Sequence, residues 1–481
     1  MNLPISPLFR SPVFFVVVSL AISPGAQLIA EEAKSPPPPA MPLSDNAIRQ
    51  ILLTRVDAQK QVDALVAGIV SPEGRQVVAY GKREANDRPE LNGDTVFEIG
   101  SITKVFTSLV LIDMVQRGEV SLDDPVVKYL PAGTRVPERA GRQITLRDLS
   151  TQTSGLPRLP DNLHPQNVAN PYADYSTEQL YAFLSGYTLT RDIGEKFEYS
   201  NLGVGLLGQA LSRRASTNYE TMVTARILQP LGMKDTGIAL SAGQQARLTP
   251  GHDAALKPVA NWDLPTLAGA GALRSTANDL LTFLAANLGL VKTPLAAAMA
   301  AEVQPRTPTG TPNLEIAYGW FVLSRNGKTI FWHNGGTGGY RSFIGYDPAA
   351  KRGVVVLSNT STSGGVDDIG YHLLDPAVPL ASFAPPKEHQ AITLDPKALE
   401  KFVGAYQLAP KFILTITAAD GHLYAQASGQ SKFEIFAEGP HEFFAKVVEI
   451  TIRFQADPDE NVTGLILSQG GRDTRAKRIQ Q

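Results

Sequence analysis

Residues 97–104 read Phe-Glu-Ile-Gly-Ser-Ile-Thr-Lys, and this stretch gives the first indication of both the fold and the chemistry. Ser101 and Lys104 are three residues apart, so on a helix that begins at Ser101 their side chains project from one face within hydrogen-bonding reach. A serine hydroxyl is a weak nucleophile that needs a base, and a lysine whose pKa is lowered by burial can take its proton. The helix N-terminus would also favour an oxyanion beside Ser101. The stretch therefore predicts a serine nucleophile with a lysine base, although the spacing alone also fits an ordinary amphipathic helix.

Two further segments carry polar residues that could join this pair in one site. Residues 199–201 are Tyr-Ser-Asn and stand just before an apolar run; residues 333–335 are His-Asn-Gly at the end of a predicted strand, followed by Gly-Thr-Gly-Gly at 336–339. Taken singly, Tyr199 fits an interface tyrosine, Asn201 a helix cap and His333 a buried structural histidine. The glycines lack the Lys-Ser/Thr pair of a P-loop, so they do not predict a nucleotide site.

Together the three segments resemble the active-site motifs of class C β-lactamases and of their relatives among penicillin-binding proteins, esterases and D-amino-acid peptidases. Those enzymes carry Ser-x-x-Lys, Tyr-x-Asn and Lys/His-x-Gly in this order. Residues 153–157 (Thr-Ser-Gly-Leu-Pro) and 268–273 (Ala-Gly-Ala-Gly-Ala-Leu) are also similar to the family, and the likeness spans about residues 45–370. The resemblance implies an α+β fold in which helices flank an antiparallel sheet and a second subdomain is all helical.

The resemblance also implies a role for each motif residue. Ser101 would attack a carbonyl and form an acyl-enzyme, while Lys104 and Tyr199 share the proton transfers. A phenol can act as a base only where cations stabilise its anion, and Lys104 and His333 are expected to be those cations. The backbone N–H groups of Ser101 and Gly336 would form the oxyanion hole. The residues expected to bind substrate are Asn201, His333, Asn334 and Gly335.

The chain departs from the class C pattern at several positions. Thr103 stands where those enzymes usually have Ser or Ala, and His333 replaces a lysine, as in the D-amino-acid peptidase and esterase relatives. The Asn and Arg that hold a β-lactam carboxylate fall, by counting, on Gly364 and Asp367, and Arg341 is the candidate for a compensating positive charge. These departures leave acyl transfer intact and leave open whether the acyl group comes from a β-lactam, a D-alanyl peptide or a small ester.

The pattern of apolar residues predicts one α+β domain over residues 45–374, its antiparallel sheet assembled from both ends of the segment. The predicted elements are a helix over 45–66, strands over 67–70 and 76–80, helices over 101–118, 202–214 and 277–288, and strands over 330–333, 342–346 and 353–358.

A proline-rich linker over residues 375–390 separates this domain from a second one over residues 391–481. The second domain consists of short β-type runs with turn signals between them, at 402–408, 412–417, 422–426, 432–436, 449–454 and 462–467. Runs of this length and spacing predict a small all-β domain, a barrel or a sandwich.

Residues 1–30 resemble a bacterial export signal, because Arg10 precedes an apolar run of about ten residues, too short to span a membrane, and Pro24-Gly25 follow it. Residues 31–44 read as a proline-rich linker, so a periplasmic or secreted protein without a stable membrane span is expected. The net charge of -2 does not favour nucleic acid as a partner. The chain has no cysteine, and its histidines lack metal-ligand spacing, so neither a metal nor another cofactor is expected.

The sequence thus favours a serine hydrolase that acts on a small-molecule or peptide substrate, such as a β-lactam, a D-alanyl peptide or an ester. Two alternatives remain at this point. One is a penicillin-binding sensor that is acylated without turnover. The other is an inactive relative whose β domain binds a partner, which the intact motif residues disfavour.

Overall fold

The fold is given by a computed structural model, which describes residues 43–81, 90–362, 364–383, 389–409, 412–428, 432–446, 450–469 and 472–479. The predicted export signal and most of the first linker lie outside these residues. The chain forms two compact units, and the described residues up to 383 belong to the first and those from 389 to the second.

The first unit is built on a mixed sequence of strands and helices. Its strands are β1 Ala64–Ser71, β2 Gly74–Gly81, β3 Val96–Glu98, β4 Glu138–Arg139, β5 Arg142–Gln143, β6 Gly251–His252, β7 Pro258–Val259, β8 Arg274–Thr276, β9 Thr307–Pro308, β10 Leu314–Ile316, β11 Phe321–Arg325, β12 Lys328–Gly336, β13 Arg341–Asp347 and β14 Arg352–Ser358. Its helices are α1 Asp45–Leu53, α2 Thr103–Gln116, α3 Leu146–Ser150, α4 Thr177–Gly186, α5 Asn201–Arg214, α6 Tyr219–Val223, α7 Gln229–Leu231, α8 Ala242–Arg247, α9 Ala268–Gly271, α10 Ala277–Asn287, α11 Ala296–Glu302 and α12 Asp367–Leu374.

The main sheet has eight antiparallel strands in the order β2-β1-β14-β13-β12-β11-β10-β9. The N-terminal hairpin β1–β2 pairs with β14, the last strand of the unit, with Leu65 opposite Ser358. The prediction that the antiparallel sheet is assembled from both ends of the segment is therefore confirmed. Helix α10 packs against β1 and β14 on one face, and α12 covers β13 and β14 on the other. Neighbouring residues of β14 alternate between these faces, with Val355 in one core and Val354 in the other.

The predicted opening helix over 45–66 is wrong in its second half. Helix α1 ends at Leu53 and continues as one π-helical turn over Thr54–Ala58, and β1 begins at Ala64. The spacing of the apolar residues up to Val66 fits a helical stripe only roughly. The segment from Ala64 forms a strand because it is covered on both faces and hydrogen-bonds on both edges, to β2 and to β14.

Helix α2 is the central element of the helical part. Every residue from Thr103 to Met114 is buried, so the helix is enclosed on all sides rather than amphipathic. It packs against α5, α9 and α11. The residues that precede it therefore enter the helix at a fixed position, between the helical part and the sheet.

The second unit is a closed antiparallel barrel, which confirms the all-β prediction and decides between barrel and sandwich. It comprises α13 Pro396–Leu399 and strands β15 Gly404–Ala409, β16 Phe412–Ala419, β17 His422–Ala427, β18 Phe433–Ala437, β19 Glu442–Ala445, β20 Ile450–Ala456, β21 Val462–Gln469 and β22 Arg472–Ile479. Two of the eight strands were not predicted. Strand β19 is only four residues long, and β22 (Arg-Asp-Thr-Arg-Ala-Lys-Arg-Ile) is too polar to read as a strand from its sequence.

Glu302 at the end of α11 is a fully buried acid outside the predicted site. The Trp320 Nε1–H donates to its Oε2 at 3.2 Å, and burial raises the pKa of Glu302 well above its usual value. In the unfolded chain the carboxyl ionises near pH 4.3, whereas in the folded protein it keeps its proton to higher pH. The folded state then binds more protons than the unfolded state, so Glu302 makes stability fall as pH rises above the unfolded pKa.

Glu302→Gln, which resembles the protonated acid in shape, should therefore leave the melting temperature nearly unchanged at pH 5 and raise it at pH 8. The expected gain in the free energy of unfolding at pH 8 is about 1.4 kcal/mol for each unit by which folding raises the pKa of Glu302. Thermal unfolding of both proteins at the two pH values measures it. An equal shift at both pH values would show that Glu302 is ionised in the folded protein.

Candidate active site

The turn that carries Ser101 is pressed against the end of β12. A 3₁₀ turn over Gly100–Ile102 leads into α2, and Gly100 has a φ of 50°. A Cβ built at Gly335 would lie 1.9 Å from the Ile99 carbonyl oxygen, so only glycine allows this approach. The Ser342 hydroxyl donates to the same oxygen at 2.8 Å. The close contact, rather than flexibility, explains the glycine of the third motif.

The same approach places the backbone of Gly336 beside the Ser101 turn. A Cβ built at Gly100 would lie 2.7 Å from the nitrogen of Gly336. The first N–H groups of a helix have no acceptor within the helix, so the N–H of Ser101 lies at the same edge with no intrahelical partner. Two backbone donors expected to form an oxyanion hole are thus brought to one turn.

Thr103, one of the residues that depart from the class C pattern, stabilises the same turn by hydrogen bonds. Its hydroxyl is buried and donates to the Gly100 carbonyl oxygen at 2.7 Å, and it accepts a hydrogen bond from the Leu273 N–H at 3.2 Å. The departure is therefore structural: Thr103 joins the nucleophile turn to the segment that follows α9.

Lys104 is buried and its amine contacts three oxygens. Nζ lies 2.9 Å from Ser101 Oγ, 2.9 Å from Asn201 Oδ1 and 2.6 Å from the Ala270 carbonyl oxygen. Burial, and then the positive charge of Arg158, hold the pKa of Lys104 well below its usual range. A neutral amine has two N–H groups and one lone pair. Because the amide and carbonyl oxygens can only accept, they take the two N–H groups, and the lone pair is left for the Ser101 hydroxyl.

The second motif is held by hydrogen bonds from the segment before it. Ser200 is the N-cap of α5 and accepts from the Gly203 N–H, while its hydroxyl donates to the Pro157 carbonyl oxygen at 2.6 Å. Asn201 is therefore not the cap, which frees its side chain to accept from Lys104. Its backbone N–H donates to the Arg158 carbonyl oxygen at 3.0 Å.

The basic side chains of Lys104 and Arg158 both lie near the ring of Tyr199. The Lys104 Nζ is 4.8 Å and the Arg158 guanidinium carbon 5.1 Å from the centre of that ring. Burial raises the pKa of Tyr199 to about 12, although the Ser101 hydrogen bond and the charge of Arg158 both act to lower it. The phenol is therefore protonated at neutral pH and is suited to donate a proton.

His333 does not carry the positive charge that was expected of it. It is 1% exposed, and burial together with the charge of Lys104 lowers its pKa to about 3. Its Nδ1 lies 2.5 Å from the carbonyl oxygen of Asn334. A carbonyl oxygen can only accept, so Nδ1 carries the hydrogen and Nε2 is left as an acceptor. His333 contacts Tyr199 as a neutral ring, with 6.2 Å between ring centres.

Arg158, which sequence reasoning did not single out, is the cation beside Tyr199. It directly follows the family-like segment 153–157, so the signal lay next to a stretch that had been recognised. Nothing in the spacing of residues 158 and 199 indicates that they meet; the two backbone hydrogen bonds from the start of α5 to Arg158 bring them together.

Asp367 follows the last strand of the unit, and the side chain of Arg341, the first residue of β13, reaches the same region. The Asn334 amide donates to Asp367 at 2.6 Å, and burial raises the pKa of Asp367 to about 7. Arg341 is buried, and its guanidinium donates to four backbone carbonyl oxygens of residues 337, 340, 361 and 362. The expectation that Arg341 offers a free positive charge to a ligand is therefore wrong. Gly364 lies at the surface of the loop before α12.

Within the described ranges, no group of three or more His, Asp or Glu side chains could hold a metal ion. A search of the same residues found no helix long and apolar enough to cross a bilayer.

We expect Gly335→Ala to lower kcat/KM by roughly 100-fold, because the added methyl group must push the Ser101 turn away from β12 by an ångström or more. The rate at which the purified variant reacts with a fluorescent penicillin or an aryl ester measures this loss. Gly243→Ala is the matched control, since a Cβ built there meets nothing within 4 Å. Equal activity of the two variants would contradict the close contact at Ile99.

His333→Gln should leave the acid limb of the pH–rate profile in place. Because the pKa of His333 is about 3, this residue is neutral throughout pH 5–9, and the acid limb arises when Lys104 gains a proton. Measurement of kcat/KM from pH 4 to 9 on both proteins tests this. Disappearance of a limb near pH 6–7 in the variant would show that His333 titrates there.

Comparison with known proteins agrees with this arrangement. Residues 51–377 match the family described as Beta-lactamase, and residues 388–478 match one described as Domain of unknown function (DUF3471). The chain is 32% identical over 329 residues to the D-alanyl-D-alanine-carboxypeptidase/endopeptidase AmpH of Escherichia coli strain K12, covering 63% of this chain and 83% of AmpH.

Solved structures show the same fold. A β-lactamase/D-alanine carboxypeptidase from Yersinia pestis, complexed with citrate, superposes with a TM-score of 0.59 at 25% identity, over 69% of this chain and 99% of that one. A class C β-lactamase from Rhodobacter sphaeroides gives a TM-score of 0.60 at 24% identity, over 69% and 99% of the two chains.

Proposed function

The chain belongs to the beta-lactamase family of hydrolases, and from that premise we propose that it is a serine hydrolase that cleaves D-alanyl peptides through an acyl-enzyme on Ser101. The observation that carries the proposal is the amine of Lys104, whose two acceptors leave its lone pair directed at the Ser101 hydroxyl.

In the acylation step, Ser101 Oγ attacks the carbonyl carbon while its proton passes to the neutral Lys104. The developing oxyanion accepts hydrogen bonds from the N–H groups of Ser101 and Gly336, whose turn is held by the glycine contact with Ile99. Removal of one such donor from an oxyanion hole typically costs about 2.7–4 kcal/mol of transition-state stabilisation.

The leaving amine needs a proton, and Tyr199 supplies it. A phenol with a pKa of about 12 is protonated in the resting enzyme, and its hydrogen bond to Ser101 keeps it beside the reacting bond. The protonated Lys104, whose Nζ lies 4.8 Å from the centre of the Tyr199 ring, then returns its proton to the phenolate oxygen, which restores both groups. The same residues in reverse order take a proton from water and hydrolyse the acyl-enzyme, which restores Ser101.

One observation favours a D-alanyl peptide as the substrate: the likeness to a D-alanyl-D-alanine-carboxypeptidase/endopeptidase covers 83% of that protein. By counting, Asp367 stands where class C enzymes hold a β-lactam carboxylate, and burial raises its pKa to about 7. The guanidinium of Arg341 is occupied by backbone oxygens, so neither side chain offers a free positive charge to the carboxylate of either substrate.

A penicillin-binding sensor and a small-ester esterase are the alternatives, and one set of assays separates all three. The full chain is given nitrocefin, a short-chain p-nitrophenyl ester and a peptide ending in D-Ala-D-Ala, and Ser101 labelling by a fluorescent penicillin is followed over time. Release of D-alanine supports the proposal. Stoichiometric labelling without turnover supports the sensor, and turnover of the ester alone supports the esterase.

We also propose that the protein acts outside the cytoplasm, on the support of the export-signal pattern in residues 1–30. N-terminal sequencing of the protein recovered from producing cells tests it: cleavage near residue 26 or 30 is expected. A mature protein that starts at residue 1 would contradict it.

A further inference from the structure

Arg158 is an exposed cation fixed beside the proton donor. Its carbonyl oxygen accepts from the N–H groups of Asn201 at 3.0 Å and Leu202 at 3.2 Å, so its backbone is tied to the start of α5. The preceding Pro157 carbonyl oxygen accepts from Ser200. The guanidinium carbon lies 5.1 Å from the centre of the Tyr199 ring. Hydrogen bonds to residues 200–202 therefore fix the backbone of Arg158 relative to the second motif.

The guanidinium of Arg158 has no hydrogen-bond or carboxylate partner among the described residues, unlike the other basic side chains around the site. The amine of Lys104 contacts three oxygens, and the guanidinium of Arg341 donates to four backbone carbonyl oxygens. A planar guanidinium with free N–H groups is well suited to bind a carboxylate through two parallel hydrogen bonds.

The side of the site on which Arg158 lies indicates which part of the substrate it meets. Tyr199 must face the leaving group in order to protonate it, and Arg158 lies against the Tyr199 ring. Burial raises the pKa of Tyr172, while the charge of Arg158 acts to lower it. Tyr172 also hydrogen-bonds Asn201, and its ring packs edge-on against the ring of Trp262, with 5.4 Å between ring centres. Tyr172 and Trp262 are thus the aromatic neighbours of the second motif.

We propose that Arg158 binds the carboxylate of the leaving amino acid, so that the enzyme prefers acyl substrates whose leaving group carries a carboxylate. This inference rests on the proposed function, since it takes Tyr199 as the proton donor. It moves recognition of the anionic group away from the region after the last strand, where Asp367 bonds to Asn334, to the loop before the second motif.

The test uses substrate pairs that differ only in the charge of the leaving group. One pair is an acylated peptide ending in D-Ala-D-Ala and its C-terminal carboxamide. The other is an aryl ester of 3-hydroxybenzoate and the matching ester of 3-hydroxybenzamide. The variants, made in the full chain, are Arg158→Gln, Arg158→Lys and the control Arg214→Gln, which alters an exposed arginine near the end of α5.

Arg158→Gln should lower kcat/KM about 10- to 100-fold more for the carboxylate member of each pair than for its neutral member. Arg158→Lys should lie in between, because it keeps the charge and loses the paired geometry, and Arg214→Gln should resemble the wild type. An equal loss on both members would overturn the proposal and assign Arg158 to tuning Tyr199. No loss on either member would also overturn it.

Failure of the proposed function gives a different pattern from failure of this inference. If Ser101 is not the nucleophile, the wild type turns over neither pair and fluorescent penicillin does not label Ser101. If only the inference fails, the wild type is labelled and active, and the two members of a pair respond alike to Arg158→Gln.

Discussion

Ser101→Ala should lower kcat by roughly 10⁴- to 10⁶-fold, the range seen when the nucleophile of a serine hydrolase is removed. The physical reason is that, in the part of the chain that the structure describes, Ser101 is the hydroxyl that lies both 2.9 Å from the Lys104 amine and on the turn that meets Gly336. Tyr199 also hydrogen-bonds Ser101, and with a pKa of about 12 it stays protonated at neutral pH and acts as a proton donor. Single-turnover release of product and labelling by a fluorescent penicillin measure the loss.

The control for this prediction is Ser121→Ala, which removes an exposed hydroxyl in the loop after α2. It should keep activity within about twofold of the wild type, since surface substitutions are usually near neutral. Both variants should give the same thermal unfolding curve. Turnover that survives Ser101→Ala in a folded protein would eliminate the acyl-enzyme mechanism.

Lys104→Met should lower the rate of acylation by roughly 10²- to 10⁴-fold, because it removes the general base and keeps the volume of the side chain. The loss should be greatest well above the acid limb, where the wild-type lysine is neutral. Because burial lowers the pKa of Lys104, protonation on the acid side of that pKa removes the lone pair, and the wild-type rate falls as pH decreases. Lys104→Met should show no such limb.

Lys128→Met is the matched control, since this lysine is exposed and pairs with Asp124 at the surface. It should leave both the rate and the pH profile unchanged. Rates of labelling between pH 4 and 9, measured on the three proteins, test the prediction. An acid limb that persists unchanged in Lys104→Met would show that another group acts as the base.

The two motif residues nearest in sequence were the easiest to predict. Ser101 and Lys104 are one helical turn apart, so local geometry alone places their side chains together. Tyr199, Asn201 and the segment at 333–335 have no local relation to them and were found by the order of motifs. Arg158 was missed because its side chain meets Tyr199 only through backbone hydrogen bonds between two loops.

Errors in the fold have the same origin. Residues 59–66 were assigned to the opening helix because their apolar spacing fits a helix as well as a strand. The choice between them depends on pairing with β14, which lies nearly 300 residues later. Likewise β22 has a polar sequence and is a strand because β15 and β21 hydrogen-bond both of its edges.

The sequence by itself determined the α+β class and the separate β domain, and it predicted the Ser101–Lys104 pair, because these follow from local spacing and residue type. The tertiary structure alone decided the protonation states of Lys104, Tyr199 and His333, the occupation of Arg341 and the freedom of Arg158. The physical reason is that desolvation and hydrogen-bond partners are summed over segments far apart in the chain. A residue's type gives its reference pKa, but only its packed surroundings decide whether it carries a charge.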